Sequence, residues 1–434
     1  MSTRYIHVES IPFGGGTFER YVWSNGLRVL LHVDKAAPVV SYQSWFGVGS
    51  RHEKPGKTGI AHLFEHLMFN ETKNLPHGKF DKTMESRGAE TNAATWMDWT
   101  YYYENLPASD VGIAIKLEAE RLENLLLKDK QVTSEIEVVA NERMLRTDDD
   151  VDGTVSELLY KTAFTHHGYH HPTIGWMSDI RAFTPADCDA FYGAYYAPNN
   201  AVLVVAGDIK PKSLLEKIDA AYGAMPASQL PHEEVVPEPA QREARYVEIT
   251  RTTPNEKIAL AFKGPALGDV DHIALSVLAE VLFGGRASRM YRKLVAELEL
   301  ASDVRGWVST FRYPGLFEMN ATARDGVTAE QVLLVLHTEI VRLHEELVTP
   351  QELERAVARI ELGSLQGMET PSGKAEQAGM HELVLGDPAA SWKRLAACRN
   401  VTAAELRYVA RAYLKTETST TVVVRVSAEV EEAS

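Results

Sequence analysis

Cysteine is almost missing: Cys188 and Cys398 are the only two in 434 residues. A disulfide framework is therefore excluded, as are cysteine-based metal sites, and the core must hold itself together by burial. Long hydrophobic runs are missing too, since nowhere do eighteen apolar residues follow one another, the length a spanning helix needs. The opening segment, MSTRYIHVESIPFGGGTFER, holds no apolar core of signal-peptide length. A soluble chain is expected, cytoplasmic as it stands and periplasmic if an export signal has been trimmed. Basic charge is in deficit, with 45 Lys and Arg against 60 Asp and Glu, a net charge of −15, and no basic block interrupts it. That balance repels nucleic acid and anionic membrane surfaces.

What is present is a globular composition, 45% apolar and 24% charged, long enough for two domains or perhaps three. Asn25-Gly26 lies between two alternating apolar runs, the signal of a tight hairpin, so the chain opens with antiparallel strands. Val39 to Val48 alternates again, and from Thr58 to Phe69 the spacing turns helical. Val111 to Leu127 and Thr133 to Leu145 are amphipathic at the helical period, whereas Ala201 to Val205 reads as a short buried strand. Strands and helices mix without regular βαβ alternation, which predicts an α+β fold.

Four prolines, Pro226, Pro231, Pro237 and Pro239, stand among polar residues and mark a linker. The expected division is a first domain over 1–225, a linker over 226–240 and a second domain over 241–434. The halves are alike in sequence. From Phe183 onward FTPADCDAFYGAYYAPNNAVLVVAGDI aligns without a gap on VTAAELRYVARAYLKTETSTTVVVRV from Val401, each reading as a capped helix and then a strand. HLFEHLMF from His62 sits similarly beside SVLAEVLF from Ser276. Two duplicated domains are expected, each an antiparallel-rich sheet packed with helices.

Chemistry concentrates in His62, Glu65 and His66, an HxxEH motif on the helix that begins near Thr58. Histidines at i and i+4 project from one helical face, close enough to take two sites of one tetrahedral zinc, with Glu65 beside them. Such a glutamate can deprotonate a water that the metal has acidified. On a solvated face the same residues would be ordinary surface side chains. The flanks Ile60, Leu63, Phe64, Leu67, Met68 and Phe69 place this helix in a core instead, where unpaired His and Glu would be costly. A third ligand can come from TSEIEVVANERML, where Glu135 and Glu142 lie two turns apart on one face with Val138 and Val139 on the packed side between them. Glu142 could bind the metal while Glu135 orients His66 or another ligand, although either could equally be a solvated charge.

These residues carry a resemblance to a known family. The segment from Gly49 to Leu106, GSRHEKPGKTGIAHLFEHLMFNETKNLP with MESRGAETNAATWMDWTYYYENLP, resembles the M16 (pitrilysin) metallopeptidases of the shorter M16B type. Their inverted zinc motif is HxxEH. The resemblance extends over nearly the whole chain and implies a half-clam of two homologous domains, with zinc held by His62, His66 and Glu142. It further implies Glu65 as the catalytic base, Glu135 as a supporting glutamate, and Asn92, Ala93 and Thr95 as an edge strand that pairs with an extended peptide. The histidines His166, His167, His170 and His171 match family positions without a metal role and read as a solvated loop.

One departure stands out. Members of the family bring an arginine and a tyrosine from a C-terminal domain to the scissile carbonyl, where they steady developing negative charge. Gly284, Gly285, Ser288, Arg289, Met290 and Tyr291 reproduce the run that leads to them, but Val295 and Ser302 occupy the two positions. Ser276, Ala279 and Glu280 stand opposite His62, Glu65 and His66, so the second half has no metal motif. The resemblance thus implies a zinc metalloendopeptidase subunit for unstructured peptides, working as a heterodimer with a homologous M16 chain that carries the Arg/Tyr pair. The alternatives are a non-catalytic scaffold or core subunit of a larger assembly, or a self-sufficient homodimeric peptidase.

Overall fold

The computed structural model describes residues 4–427, and they form two compact units, each with one sheet packed by helices. The first unit takes the chain up to Glu142, His171–Val235 and Leu365–Trp392. Its sheet holds β1 (Tyr5–Phe13), β2 (Gly16–Trp23), β3 (Arg28–Val33), β4 (Val39–Phe46), β5 (Glu90–Thr95), β6 (Thr100–Pro107) and β7 (Ala201–Gly207). The strand order is β1-β2-β3-β7-β4-β6-β5, and β3 with β7 is the one parallel pair. The Asn25-Gly26 turn forms as its sequence requires: Gly26 has φ 87°, and Asn25 Oδ1 accepts from Leu27 N at 3.3 Å.

Both faces of this sheet are buried, and the strand period of two assigns side chains between them. Leu203 and Val205 of β7 enter one core, Val202, Val204 and Ala206 the other. The first core receives α1 (Ile60–Leu67), α2 (Lys79–Glu85), α3 (Val111–Asn124) and α4 (Asp129–Arg143), through Leu63, Phe64, Met84, Ile115 and Val139 among others. The second core lies under the helix Pro371–Leu385, which packs on β4 and β7. Gly379 permits that approach, because a Cβ there would stand 2.3 Å from Trp45 Nε1.

The second unit takes Arg143–His170, Val236–Ser364 and the described chain from Lys393 onward. Its sheet contains β8 (Arg245–Arg251), β9 (Lys257–Lys263), β10 (Ala301–Val308), β11 (Leu316–Ala323) and β12 (Thr420–Val426), in the order β10-β11-β9-β12-β8. Here α5 (Val151–Ala163) packs on β8, β9 and β12, and the helix Val270–Phe283 packs on β10.

The duplication expected from sequence is visible in topology. Strands β3-β7-β4-β6-β5 of the first unit repeat as β8-β12-β9-β11-β10 in the second, including the single parallel pair at β12 with β8. Thr184 caps Pro185–Tyr195 by accepting from Asp187 N at 3.2 Å, and Thr402 caps Ala403–Tyr413 by accepting from Glu405 N at 3.2 Å. The units meet in the chain at Val235/Val236, inside the proline-rich stretch, but they are not contiguous halves. Each includes a segment from beyond that point, 143–170 in the second unit and 365–392 in the first. A division into 1–225 and 241–434 misses this exchange because periodicity reports that a helix has an apolar face, not which sheet receives it.

Candidate metal centre

The helix that carries HxxEH is short, so its position depends on what holds its ends. At the N-terminus Gly59 has φ 92° and accepts no side chain, since a Cβ would lie 2.3 Å from Ile174 O. Two of the helix's free amides, Gly59 N and Ala61 N, donate to the buried carboxylate of Glu53 at 2.7 and 2.8 Å. Burial pushes the Glu53 pKa well above the ordinary carboxylate value, against the pull of those two bonds. Thr58 is fixed in turn by Asp179 Oδ2, which accepts from its N at 3.1 Å and its Oγ1 at 2.8 Å.

The C-terminus is held from β6 and α3. Tyr102 Oη donates to Phe64 O at 3.0 Å, and Arg121 Nη1 donates to Met68 O at 3.3 Å. Arg121 is fully buried, bonded to Glu118, 3.4 Å from Glu104 and 4.2 Å from the centre of the Phe80 ring. A cation at the last turn also complements the helix dipole. With Ile60, Ala61, Leu63, Phe64 and Leu67 buried, the remaining face of α1 presents His62, Glu65 and His66.

Against that face α4 brings its two glutamates. Glu142 Oε2 lies 3.3 Å from His66 Nε2 and 3.8 Å from His62 Nε2. Glu135 Oε2 lies 3.7 Å from His66 Nδ1, while its Oε1 accepts from Asn70 Nδ2 at 3.2 Å. The packed side of α4 is Val132, Ile136, Val139 and Ala140; Val138, expected there, is 45% exposed. Glutamates seven apart face α1 while the heptad between them turns Val138 outward.

The donor set has the spacing that zinc needs. Bonds of about 2.0–2.2 Å to nitrogen and oxygen require tetrahedral edges of about 3.3–3.5 Å between ligands. One atom from each of His62, His66 and Glu142 lies within 4.8 Å of the others, and the two edges to Glu142 are close to the required span. The electrostatics agree. Burial disfavours a charged His66, yet bonding and charge from Glu142, with Glu65 and Glu135 adding to it, leave its pKa raised. The surrounding carboxylates ask for positive charge at this spot. Burial raises the Glu65 pKa, opposed by hydrogen bonding with Thr95. Among the described residues this is the one group with metal-binding spacing, and the histidines at 166, 167, 170 and 171 form none.

Asn92, Ala93 and Thr95 lie on β5, the sheet edge beside α1, where β6 is the only strand partner among the described residues. Thr95 is more than an edge residue, since it is buried against Glu65. In the second unit Val295 is buried in the core, and Ser302 donates to Thr322 O at 3.3 Å from β10. Neither position carries an arginine or a tyrosine.

Sequence reasoning missed Glu53, Tyr102 and Arg121, the residues that clamp α1. Glu53 sits in a Gly/Pro loop without periodicity, and Glu118 with Arg121 reads as a solvated i,i+3 pair until burial is known.

The chain is similar to known proteins along most of its length. The family model described as Insulinase (Peptidase family M16) matches residues 28–175, and the one described as Peptidase M16 inactive domain matches 182–360. A relative named zinc protease PqqE, from Helicobacter pylori, is 32% identical over 368 residues, covering 82% of this chain and 81% of that protein. A relative from Streptomyces coelicolor, named an uncharacterized zinc protease, is 28% identical over 419 residues, with 94% and 90% covered. The crystal structure of a protease from Helicobacter pylori superposes with a TM-score of 0.91 at 29% identity, covering 94% of this chain and 99% of that one. A clamped HxxEH helix facing a glutamate pair, on a duplicated α+β frame shared with named zinc proteases, makes this chain a member of peptidase family M16.

Proposed function

We propose that the chain is a zinc metalloendopeptidase subunit that cleaves unstructured peptides. The observation that carries this reading is the set of ligand edges at 3.3 and 3.8 Å between Glu142 and the two histidines of α1. His62, His66 and Glu142 would hold the metal, and Glu135, beside His66 Nδ1, would orient that imidazole. When bound, zinc supplies the Lewis acidity that makes water nucleophilic at neutral pH. Glu65 takes the proton of the attacking water on its carboxylate and returns it to the leaving amine. The exposed edge of β5 pairs with the backbone of an extended substrate, so selection is for chain extension more than side-chain identity.

Developing charge on the carbonyl oxygen needs donors that this chain does not provide at Val295 and Ser302. A homologous M16 subunit carrying Arg and Tyr at those positions supplies them in a heterodimer. The match of residues 182–360 to an inactive-domain description gives the scaffold alternative its footing, but the intact set of His62, Glu65, His66 and Glu142 favours the enzyme.

The test is hydrolysis of a long, internally quenched, unstructured peptide by the zinc-loaded chain, alone and co-expressed with a homologous chain that has the Arg/Tyr pair. Chelator-sensitive turnover is expected only in the pair and is abolished by Glu65→Gln. Robust turnover by the chain alone would overturn the partner requirement. Silence of the pair would overturn the peptidase reading.

A further inference from the structure

The exposed edge of β5 has two faces, and only one of them meets the metal helix. Ala93 packs against the core that holds α1, and Ala94 against the core under the helix Pro371–Leu385. A strand paired on that edge alternates its side chains in the same way, so every second residue of an extended peptide points away from α1. Those residues meet a different surface.

That surface is aromatic, with one carboxylate beside it. Asn92 pairs with Tyr103 and Ala94 with Tyr101 across β5 and β6, so all four share the face. The Tyr101 and Tyr103 rings stack with centroids 5.7 Å apart, and Tyr101 stacks in turn on Trp45 at 4.1 Å. Glu376 comes to these rings from the helix Pro371–Leu385: burial raises the pKa of both tyrosines, and the Glu376 charge adds to the rise in each. On the same helix Glu382 is paired with Arg20 and Arg28, and Lys374 with Asp34. Glu376 has no hydrogen bond or ion pair among the described residues. It is exposed on the helix flank and so within reach of a ligand, yet the protein around its carboxyl raises its pKa, with no cation opposing the rise. Between the open edge and the rings, Ala94 offers only a methyl group. A strand added about 4.8 Å beyond β5 can therefore send a long side chain across it.

We propose that Glu376 and the Tyr101–Tyr103 stack select a lysine or arginine in the substrate, at a position whose side chain points away from α1. The aliphatic stem lies over Ala94, the cation sits beside the tyrosine rings, and its charge meets Glu376. This inference rests on the reading that β5 pairs with an extended peptide.

The experiment measures binding, so it needs neither turnover nor a partner chain. The full chain carrying Glu65→Gln is titrated, by fluorescence anisotropy, into dye-labelled unstructured peptides that differ only in one central residue: lysine, its uncharged analogue norleucine, or glutamate. The lysine peptide is expected to bind at least about fivefold more tightly than the norleucine peptide, and the glutamate peptide most weakly. Glu376→Gln is expected to bring the lysine-to-norleucine ratio close to one, and Glu376→Lys to reverse the order of lysine and glutamate. Glu216→Lys makes the same change in net charge on the helix Pro211–Tyr222, which packs into the core on the α1 side of the sheet, and is expected to keep the parent ratio. A ratio unchanged in Glu376→Gln, or lost equally in Glu216→Lys, would overturn the proposal. Equal binding of all three peptides by the parent would overturn the selection while leaving strand pairing at β5 in place. Binding of none would overturn the pairing itself and this inference with it.

Discussion

Replacing Arg121 by Met tests how the metal helix is held. The substitution keeps much of the aliphatic volume but removes the cation from a site where Glu104 is 1% exposed and Glu118 3%. Glu104 already has its pKa pushed well up by burial and by Glu118, so Arg121 and Glu118 form the operative pair. Removing one partner of a buried pair costs about 3–5 kcal/mol, because the other charge stays behind without compensation. Met68 O also loses its side-chain donor, about 1 kcal/mol more. Urea unfolding at pH 8 is expected to show a loss of ~4–6 kcal/mol. The sign of its pH dependence follows from linkage. Arg121 pulls the Glu104 pKa down against burial, so without it Glu104 binds its proton still more tightly in the folded state and the deficit shrinks as pH falls toward 5. Replacing Glu104 and Glu118 by Leu in the same chain is expected to recover most of the loss. Zinc affinity is expected to drop alongside, since the last turn of α1 carries His66. A loss below about 1 kcal/mol with unchanged zinc affinity would refute the clamp.

Two further outcomes follow from buried and strained groups of the second unit. Glu318 accepts from Tyr160 Oη at 2.6 Å, and burial raises its pKa to about 7 from 4.5. The folded state then binds more protons than the unfolded one between these values, so stability falls by about 3 kcal/mol as pH rises through that window. Glu318→Gln is expected to remove that slope in urea melts at pH 5 to 8, and an unchanged slope would count against it. Glu299 is the one described non-glycine residue with positive φ, 53°, so Glu299→Gly is expected to stabilise by about 0.5–1 kcal/mol in thermal unfolding. Destabilisation there would mean that the Glu299 side chain contributes more than its backbone strain removes.

The legible parts of this protein were those written in local pattern. The Asn25-Gly26 hairpin and the capped helices after Thr184 and Thr402 each follow from turn chemistry or capping within a few residues, whereas the edge strand at Asn92 to Thr95 came from the resemblance to M16 peptidases. His62, Glu65 and His66 were legible because one helical turn sets their mutual geometry, whereas Glu135 and Glu142 stayed open on spacing alone and were assigned only through the resemblance to M16 peptidases. The exchange of 143–170 and 365–392 between units was not legible, since it depends on long-range packing that leaves no periodic trace. Glu53 and Arg121 escaped for a related reason. A charged residue in a sequence reads as solvated, and only the assembled fold shows that Glu53 caps α1 and that Arg121 is sealed among Phe69, Phe80 and Tyr102. Val138 was misjudged because adjacency to buried Val139 was mistaken for a shared face.

Metal stoichiometry decides whether His62, His66 and Glu142 form one zinc site. The chain is to be reconstituted with zinc, dialysed against metal-free buffer and examined by native mass spectrometry beside Glu142→Ala, His66→Ala and Glu65→Gln. One zinc per chain is expected for the parent and for Glu65→Gln, with loss of zinc in the other two while their folds persist. Zinc retained at full stoichiometry by Glu142→Ala or His66→Ala would contradict it.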